Sequence, residues 1–409
     1  MLTLDRLRAD IDEIVPGIVA DRRHLHMHPE TAFQEVKTAA FVTDRLRALG
    51  VDDVRTGVGR TGVVALIQGT GGGEHGLGAA GGRPRGKVVA LRADMDALPI
   101  LEENAVEYAS TTPGTMHACG HDAHVAILLA TARMLTERRA DFAGTVKLIF
   151  QPAEEGAGGA AAMVADGVLE DPWPDAIFGL HIWQHTDVGD IEARPGVAML
   201  GGDGFVVTVR GQGGHGAQPH LCVDPIAVAA QVVVALQTVV AREVDPIQPA
   251  VLTVGSIHAG DANNVVPDTA TLGGTLRFGT DEVRATLRDR LTEIATGVAA
   301  SMRATAEVEV EWGVAPTVND PAMTEIVKAA AAEVVGPEHV RDGEIRTVSE
   351  DMCEFLDRVP GCYFFLGSRN AERGLTWGHH TAKFDVDESA MALGVETLTR
   401  TALRYLSTP

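Results

Sequence analysis

The chain has 409 residues, more than one hydrophobic core usually organises, so we expect two domains. Its formal net charge of -22 argues against nucleic acid and anionic membrane surfaces as partners, because both attract basic protein surface. Four widely separated cysteines, no cationic segment followed by an apolar run near the amino terminus, and no window approaching a membrane span together favour a reducing cytoplasm.

The first part of the chain alternates between helices and strands. Helical periodicity is present at residues 2–27, 36–49 and 123–138, and short apolar strands are predicted at 63–67, 87–91 and 145–150. Residues 69–86 are glycine-rich with almost no apolar bulk, which predicts a surface loop. The alternation indicates an α/β fold in which helices cover both faces of a sheet.

The order of the elements changes from about residue 197. A half-exposed strand at 205–211 precedes a helix at 225–243, strands near 250–257 and 269–278, a helix at 281–302 and a strand at 306–312. This β-α-β-β-α-β order is that of a ferredoxin-like unit. Because the rest of the chain returns to helix, strand and helix, we predict an inserted domain at 197–313 within a first domain made of 1–196 and 314–409.

The segment 116–124 has the densest group of metal-binding residue types, since it combines thiol, imidazole and carboxylate side chains that a zinc-like ion accepts. Cys119 and His121 cannot share a helix face, so they can converge only in a turn, for which Gly120 supplies the freedom. A helix starting near Asp122 would then point its N-terminus towards the site. The alternative is a buried free cysteine with a capping histidine.

Two adjacent carboxylates, Glu154 and Glu155, follow an apolar strand and precede a glycine-rich turn. Neighbouring side chains at a strand end point to different sides, so one can bind a metal while the other accepts the proton of the attacking water. A hydrolase needs this division, because a metal lowers the pKa of water and a carboxylate passes the proton to the leaving amine. The alternative is a pair of solvated surface acids.

Three later histidines are further candidates. His181 ends a strand-like run, so we expect it at the carboxyl end of a strand, where the sites of α/β proteins gather. A lone histidine in such a run is also compatible with a core residue. His379 and His380 are adjacent and cannot point the same way, so we expect at most one ligand from this pair.

The inserted domain carries its own candidates. The glycine-rich loop at 211–220 contains His215, which could polarise a substrate carbonyl oxygen or could belong to an ordinary hairpin loop. Asn264 and Arg277 could bind a substrate carboxylate, the arginine by a two-pronged contact. Their alternative is a loop asparagine and a surface arginine.

Several motifs stand in the order in which a known family has them, and together they carry a resemblance to that family. They lie at residues 23–30, 91–100, 117–122, 151–155, 179–181 and 213–220, and at the late histidine pair. Over nearly its whole length the chain resembles the co-catalytic metallohydrolases that include aminoacylase and glutamate carboxypeptidase. Within them it is similar to the amidohydrolase branch of hippurate hydrolases, auxin-conjugate hydrolases and N-acyl-amino-acid amidohydrolases.

The resemblance implies a mixed-sheet, metallopeptidase-like catalytic domain and an inserted domain that serves as a lid and dimerises. It implies two divalent metal ions per subunit, zinc, manganese, cobalt or nickel, with Cys119 bridging them. The implied metal ligands are Cys119, His121, Glu155, His181 and His380. The missing proline after the last ligand leaves His379 as an alternative to His380.

The remaining roles also follow from the resemblance. Glu154 would be the general acid/base, and His215 would reach the active site of a partner subunit in a homodimer. Asn264 and Arg277 would hold the substrate carboxylate. Asp96 would support the metal centre from behind the ligands. Asp94 occupies a position that is a ligand histidine in other branches of the family, and here it would be structural or supporting.

The expected activity is hydrolysis of the amide bond of small N-acyl amino acids by metal-activated water. The alternatives are a di- or tripeptidase, or an N-acetyl-amino-acid deacetylase, on the same site. A non-catalytic metal-binding homologue is a further alternative, against which the intact Glu154 beside Glu155 argues, because a binding module needs no base.

Overall fold

The computed structural model describes residues 6–51, 53–71 and 86–408. Most of the predicted glycine-rich loop, residues 72–85, lies outside the described residues. The chain forms two compact units. The first comprises Met1–Ala198, Val318–Glu344 and Glu354–Pro409, and the second comprises Met199–Thr317 and Ile345–Cys353.

The secondary structure of the described residues follows in chain order. The strands are β1 (Asp53–Val58), β2 (Gly62–Gln68), β3 (Val88–Asp94), β4 (Thr145–Gln151), β5 (Ala176–Asp187), β6 (Ile191–Glu192), β7 (Gly196–Met199), β8 (Gly201–Arg210), β9 (Gly214–His215), β10 (Ala250–His258), β11 (Val265–Val266), β12 (Thr269–Phe278), β13 (Thr305–Glu311), β14 (Thr317–Asn319), β15 (Val340–Arg341) and β16 (Gly361–Arg369). The helices are α1 (Leu7–Met27), α2 (Val36–Ala48), α3 (His121–Glu137), α4 (Gly159–Ala165), α5 (Pro225–Arg242), α6 (Asp281–Ser301), α7 (Pro321–Val335), α8 (Cys353–Leu356) and α9 (Ser389–Ser407).

The first unit is built on a mixed sheet of eight strands within the described residues, in the order β1-β2-β4-β3-β5-β16-β6-β15. The central strands β4, β3, β5 and β16 are parallel to one another, whereas β1, β2 and β6 each pair antiparallel with a neighbour. Every residue of β3 and β4 is buried, as expected for strands covered on both faces. The predicted α/β, mixed-sheet fold class is confirmed.

Helix α3 is the central helix of this unit. It contacts α1, α9 and β3, and most of its residues are buried, including Ile127, Leu128 and Leu135. A helix that is apolar around most of its circumference is stable only inside a core. The first turn of α3, which carries the predicted ligand His121, is therefore held by a rigid element.

A buried charge network attaches α1 to this first turn. The guanidinium of Arg22 donates to Asp122 at 2.8 Å and to Asp385 at 2.8 Å, and the side chains of Arg22 and Asp122 are fully buried. His26 lies between Asp122, at 2.8 Å, and Glu102, at 3.2 Å. Because both imidazole nitrogens face carboxylates, both act as donors, and the charges within the network compensate one another.

We expect Arg22→Met to lower the free energy of unfolding by about 3–5 kcal/mol, because it leaves buried carboxylates without their cation. Arg23→Met is the matched control. Arg23 is 41% exposed and pairs with Glu388, so its loss should cost less than about 1 kcal/mol. Urea unfolding of both variants measures the difference, and equal losses would contradict this account of the network.

The second unit contains a four-stranded antiparallel sheet in the order β10-β12-β8-β13. Helices α5 and α6 supply Val232, Leu236 and Leu291 to a core with Phe205 and other residues of the sheet. The connectivity is that of the predicted ferredoxin-like unit. The unit also includes Ile345–Cys353, which the sequence assigned to the first domain, because the Leu200 N–H donates to the Arg346 carbonyl at 2.9 Å.

The prediction that no segment has the length and apolar composition of a membrane span is wrong for one helix of the described residues. Helix α5 is long and apolar enough to cross a membrane by length and composition alone. One face of this helix, with Val228, Val232 and Leu236, is buried in the core of the second unit. Packing accounts for this face of α5, whereas Val234 on the same helix is 64% exposed.

Candidate metal centre

Cys119 and His121 meet in a turn at the start of α3, as predicted. Gly120 between them has a φ of +93°, a conformation that favours glycine. A Cβ atom at this position would lie 2.4 Å from Cγ2 of Ile182, so close approach of the neighbouring strand also requires glycine. The His121 Nδ1 hydrogen bonds to the Asp96 carbonyl at 2.9 Å, which leaves Nε2 directed into the cluster.

Glu154 and Glu155 lie in the turn that follows β4, after Ala153, whose φ is +53°. Their backbone N–H groups donate to the two carboxylate oxygens of Asp96, each at 3.0 Å. Asp96 is 1% exposed and is therefore a buried anchor for both glutamates and for His121. Its position behind the candidate ligands agrees with the supporting role expected for it.

His181 lies in the middle of β5, so the prediction that it ends a strand is wrong. The strand continues to Asp187 because β16 pairs with it along this stretch. Pairing between β3 and β5 ends at Gly179, so His181 lies just beyond the stretch of β5 that pairs with β3. Its Nε2 is 3.5 Å from the Cys119 Sγ. Burial lowers the pKa of His181 well below its usual value, which keeps the ring neutral.

The two adjacent late histidines have different surroundings. The Nε2 of His380 is 3.1 Å from Oε1 of Glu155, and His380 has a φ of +61°. His379 instead packs its ring between Trp183 and Phe384, at centroid distances of 4.7 and 4.9 Å. Burial lowers the pKa of His379 to about 3. The geometry favours His380 as the ligand of the pair.

The donor atoms of these residues form overlapping groups whose members lie within 4.8 Å of one another. One group contains Cys119, His121 and His181, and a second contains Cys119, Glu155 and His380. Both include the Cys119 thiol, so the arrangement offers two neighbouring positions that share one sulfur. A further group joins His121 to both glutamates, and Oε2 of Glu154 is 4.0 Å from Nε2 of His121.

The cluster has a strong excess of negative charge. Burial, together with Glu155 and Glu154, raises the pKa of the Cys119 thiol well above its usual value. Burial alone would lower the pKa of His121, but nearby carboxylates, Asp94 first among them, outweigh it and raise this pKa to about 10. A bound cation would supply the positive charge that these groups otherwise obtain by holding protons.

One buried atom of the cluster, His121 Nε2, has no hydrogen-bond partner in the described part of the chain. An unsatisfied buried polar atom costs about 1–3 kcal/mol. Sulfur, imidazole nitrogen and carboxylate oxygen are also the donors that zinc and related divalent ions accept. The residues present therefore fit a divalent metal ion.

The other sequence candidates lie in the second unit. His215 in β9 pairs with Val265 in β11, and the Gly216 N–H donates to the Asn264 carbonyl at 2.8 Å, so His215 and Asn264 are on neighbouring segments. The guanidinium of Arg277 in β12 donates to the carbonyl of its neighbour Leu276 at 3.0 Å. The strand partners of Arg277 are Val251 of β10 and Gly202 of β8.

Sequence reasoning gave Asp94 a structural or supporting place behind the candidate ligands but missed its buried partners His124 and Arg92. His124 contacts Asp94, and Asp94 accepts a hydrogen bond from Arg92 at 2.6 Å. The available signal was helical spacing, because a residue three positions after His121 lies on the same face of α3.

A mixed α/β sheet that carries a buried cluster of cysteine, histidine and glutamate donors defines a metal-dependent hydrolase. The profile of peptidase family M20/M25/M40 matches residues 90–404, and the chain belongs to this family. It is 39% identical to thermostable carboxypeptidase 2 of Saccharolobus solfataricus, over 98% of each chain. It is 40% identical to the N-acyl-L-amino acid amidohydrolase of Geobacillus stearothermophilus, over 78% of this chain and 82% of the relative.

Among solved structures, the chain is similar to the Bacillus subtilis protein YxeP, described as a dinuclear metal binding peptidase of the M20 family. The TM-score is 0.82 and the identity is 32%, with 97% of this chain and 100% of that chain covered. The expected family and the expected class, a metal-dependent hydrolase, are confirmed.

Proposed function

We propose that the protein hydrolyses the amide bond of N-acyl amino acids. The proposal is supported by the similarity to the Geobacillus stearothermophilus amidohydrolase and by the chemistry of the cluster in the first unit. The observation that carries it is the placement of Glu154. Its carboxylate is 4.0 Å from the imidazole of His121, and its backbone is attached to the same Asp96 that supports this imidazole.

Two divalent ions would be held by five side chains. The proposed ligands are Cys119, His121, Glu155, His181 and His380. Once bound, such ions polarise a carbonyl group and lower the pKa of water. The thiolate suits zinc, and the histidine and carboxylate donors also suit manganese, cobalt or nickel.

Glu154 would act as the general acid/base. Its side chain is 11% exposed, so a water molecule can reach the carboxylate while most of the bulk solvent is excluded. The carboxylate would take the proton of the water that attacks the amide carbon and then deliver it to the leaving amine nitrogen. The hydrogen bond from its backbone to Asp96 limits the movement of this group during the transfer.

His215 would donate a hydrogen bond to the carbonyl oxygen of the scissile amide. The Ala217 N–H donates to Nδ1 of His215 at 3.0 Å, so the proton of the neutral ring is on Nε2. The exposed ring therefore offers a donor, which is the property needed to stabilise an oxyanion. Asn264 and Arg277 would bind the carboxylate of the amino-acid part of the substrate.

We propose further that the second unit serves as lid and dimerisation domain of a cytoplasmic homodimer, with His215 serving the active site of the partner subunit. The unit exposes large apolar side chains, among them Val234, Ile247 and Ile257. Exposed apolar side chains mark a protein interface where they form one contiguous patch.

A substrate panel tests the proposal. N-acetyl, N-benzoyl and indole-acyl amino acids are compared with di- and tripeptides that have a free N-terminus, with each divalent ion added in turn. We expect kcat/KM for the best acyl amino acid to exceed that for any peptide by at least tenfold. The similarity to a carboxypeptidase supports the peptidase alternative, and a preference for peptides would establish it.

A further inference from the structure

We propose that His124 is a positioning residue for the metal centre, which acts through the backbone of Ile182 to hold the orientation of the ligand His181. The inference rests on the proposed ligand role of His181. It assigns a function to a buried histidine that binds neither metal nor substrate.

His124 has a defined tautomer. It lies on α3 one turn after His121 and is 2% exposed. The Ile182 N–H donates to its Nε2 at 2.8 Å, so this nitrogen carries no proton. The proton is therefore on Nδ1, which donates to Asp94 at 2.6 Å.

Asp94 is well suited to hold this tautomer. Its carboxylate also accepts from Arg92 at 2.6 Å, and its side chain is fully buried. The guanidinium of Arg92 balances its negative charge, so the carboxylate is available as the acceptor for the Nδ1 proton of His124.

These contacts also show whether Asp94, His121 and His124 form a metal site of their own. The three side chains are close enough to hold a metal ion. However, the lone pair of His124 Nε2 is used by the Ile182 N–H, and Nδ1 is protonated. His124 has no donor atom left for a metal, so the group supports the metal centre and is not a separate site.

The carbonyl of the same residue, which belongs to the next peptide group, reaches the ligand. The Ile182 carbonyl accepts hydrogen bonds from Nδ1 of His181 at 2.6 Å and from Nε2 of His379 at 3.0 Å. The proton of His181 is thus on Nδ1, and its Nε2 lone pair faces the Cys119 sulfur at 3.5 Å. This is the tautomer that a ligand at Nε2 requires.

The N–H and the carbonyl of Ile182 belong to two successive peptide groups that are joined at its Cα, so His124 acts on the carbonyl by fixing its position. Asp94 and His124 hold the N–H, and the Ile182 carbonyl in turn holds the ligand ring. Close packing also restrains this residue, since Cγ2 of Ile182 is 2.4 Å from the position that a Cβ of Gly120 would take. Removing the acceptor from His124 would leave a buried N–H unsatisfied and release the backbone that positions the Ile182 carbonyl.

Replacing His124 with Gln or with Asn separates the functions of its two ring nitrogens, Nδ1 and Nε2. In His124→Gln the longer side chain places its amide oxygen near the former Nε2, which keeps an acceptor for the Ile182 N–H. In His124→Asn the amide reaches only the former Nδ1, which keeps the contact with Asp94 but loses the acceptor. The zinc dissociation constant is measured by chelator competition at constant pH, and the thermal midpoint of the metal-free protein is measured beside it.

We expect His124→Asn to weaken zinc binding about 10–100-fold, as the loss of a supporting contact does, and His124→Gln to stay within about threefold of the parent. Equal losses in the two variants, with equal thermal midpoints, would overturn the inference. If His124→Asn does not fold, His124→Gln decides alone, and a loss of tenfold or more contradicts the inference.

Cys119→Ser separates failure of this inference from failure of the proposed function. If the parent protein binds zinc no more tightly than Cys119→Ser, the proposed metal centre itself is wrong. If Cys119→Ser loses zinc while the two His124 variants bind it equally, only the role of His124 is wrong.

Discussion

Replacing Glu154 with Gln should lower kcat for the best N-acyl amino acid by about 10²–10⁴-fold, the range that a general acid/base contributes. Gln has nearly the shape of Glu but cannot accept a proton, so neither the attack of water nor the departure of the amine is assisted. The backbone hydrogen bond from residue 154 to Asp96 does not involve the side chain and should persist. Metal content should therefore stay at the parental level.

The matched control for this prediction is Glu155→Gln, the same change at the adjacent position. The Glu155 carboxylate is 3.1 Å from His380 and belongs to a donor group with Cys119, so this variant should lose metal as well as activity. Metal analysis after dialysis, together with steady-state kinetics, distinguishes the two variants. Full activity in Glu154→Gln would rule out the proposed proton transfer, and metal loss there would show that Glu154 is a ligand.

The second large effect is expected on metal affinity, when the adjacent residues His379 and His380 are each replaced. His380→Ala should weaken metal binding by more than about 100-fold, beyond the 10–100-fold effect of supporting residues, because it removes a donor. His379→Ala should change the affinity by less than about tenfold. His379 binds the Ile182 carbonyl and packs against Trp183, so its loss should lower the thermal midpoint instead.

Metal titration of both variants by calorimetry, with thermal unfolding of the metal-free proteins, tests this pair. The two substitutions are identical and adjacent, so a general effect of alanine in the loop cannot produce opposite patterns. If His379→Ala lowers the metal affinity more than His380→Ala does, the ligand assignment that the geometry favours is wrong.

The elements with strong hydrophobic patterns were predictable. Strands β3 and β4 are rich in apolar residues, and the turn at Gly120 followed from the spacing of Cys119 and His121. Strand β1 was not predicted, because its residues Asp53–Val58 are largely exposed and have no apolar run. The full length of β5 was not predictable either, since pairing with β16 extends it to Asp187.

The residue types of the candidate site were readable from the motifs, but its hydrogen-bond geometry was not. The anchoring of Glu154 and Glu155 by Asp96 depends on a turn in which Ala153 has a φ of +53°. The role of His124 depends on a backbone N–H from another strand. Contacts of this kind arise from tertiary packing, and local sequence preferences do not encode them.

The location of bound ions tests the central claim, that five side chains from distant parts of the chain hold two divalent metals around one sulfur. Crystals grown with zinc should show two peaks of anomalous scattering near the Cys119 sulfur, each about 2.3 Å from it. One peak should adjoin His121 and His181, and the other should adjoin Glu155 and His380. A zinc-saturated, active protein with no peak within bonding distance of this sulfur would contradict the account.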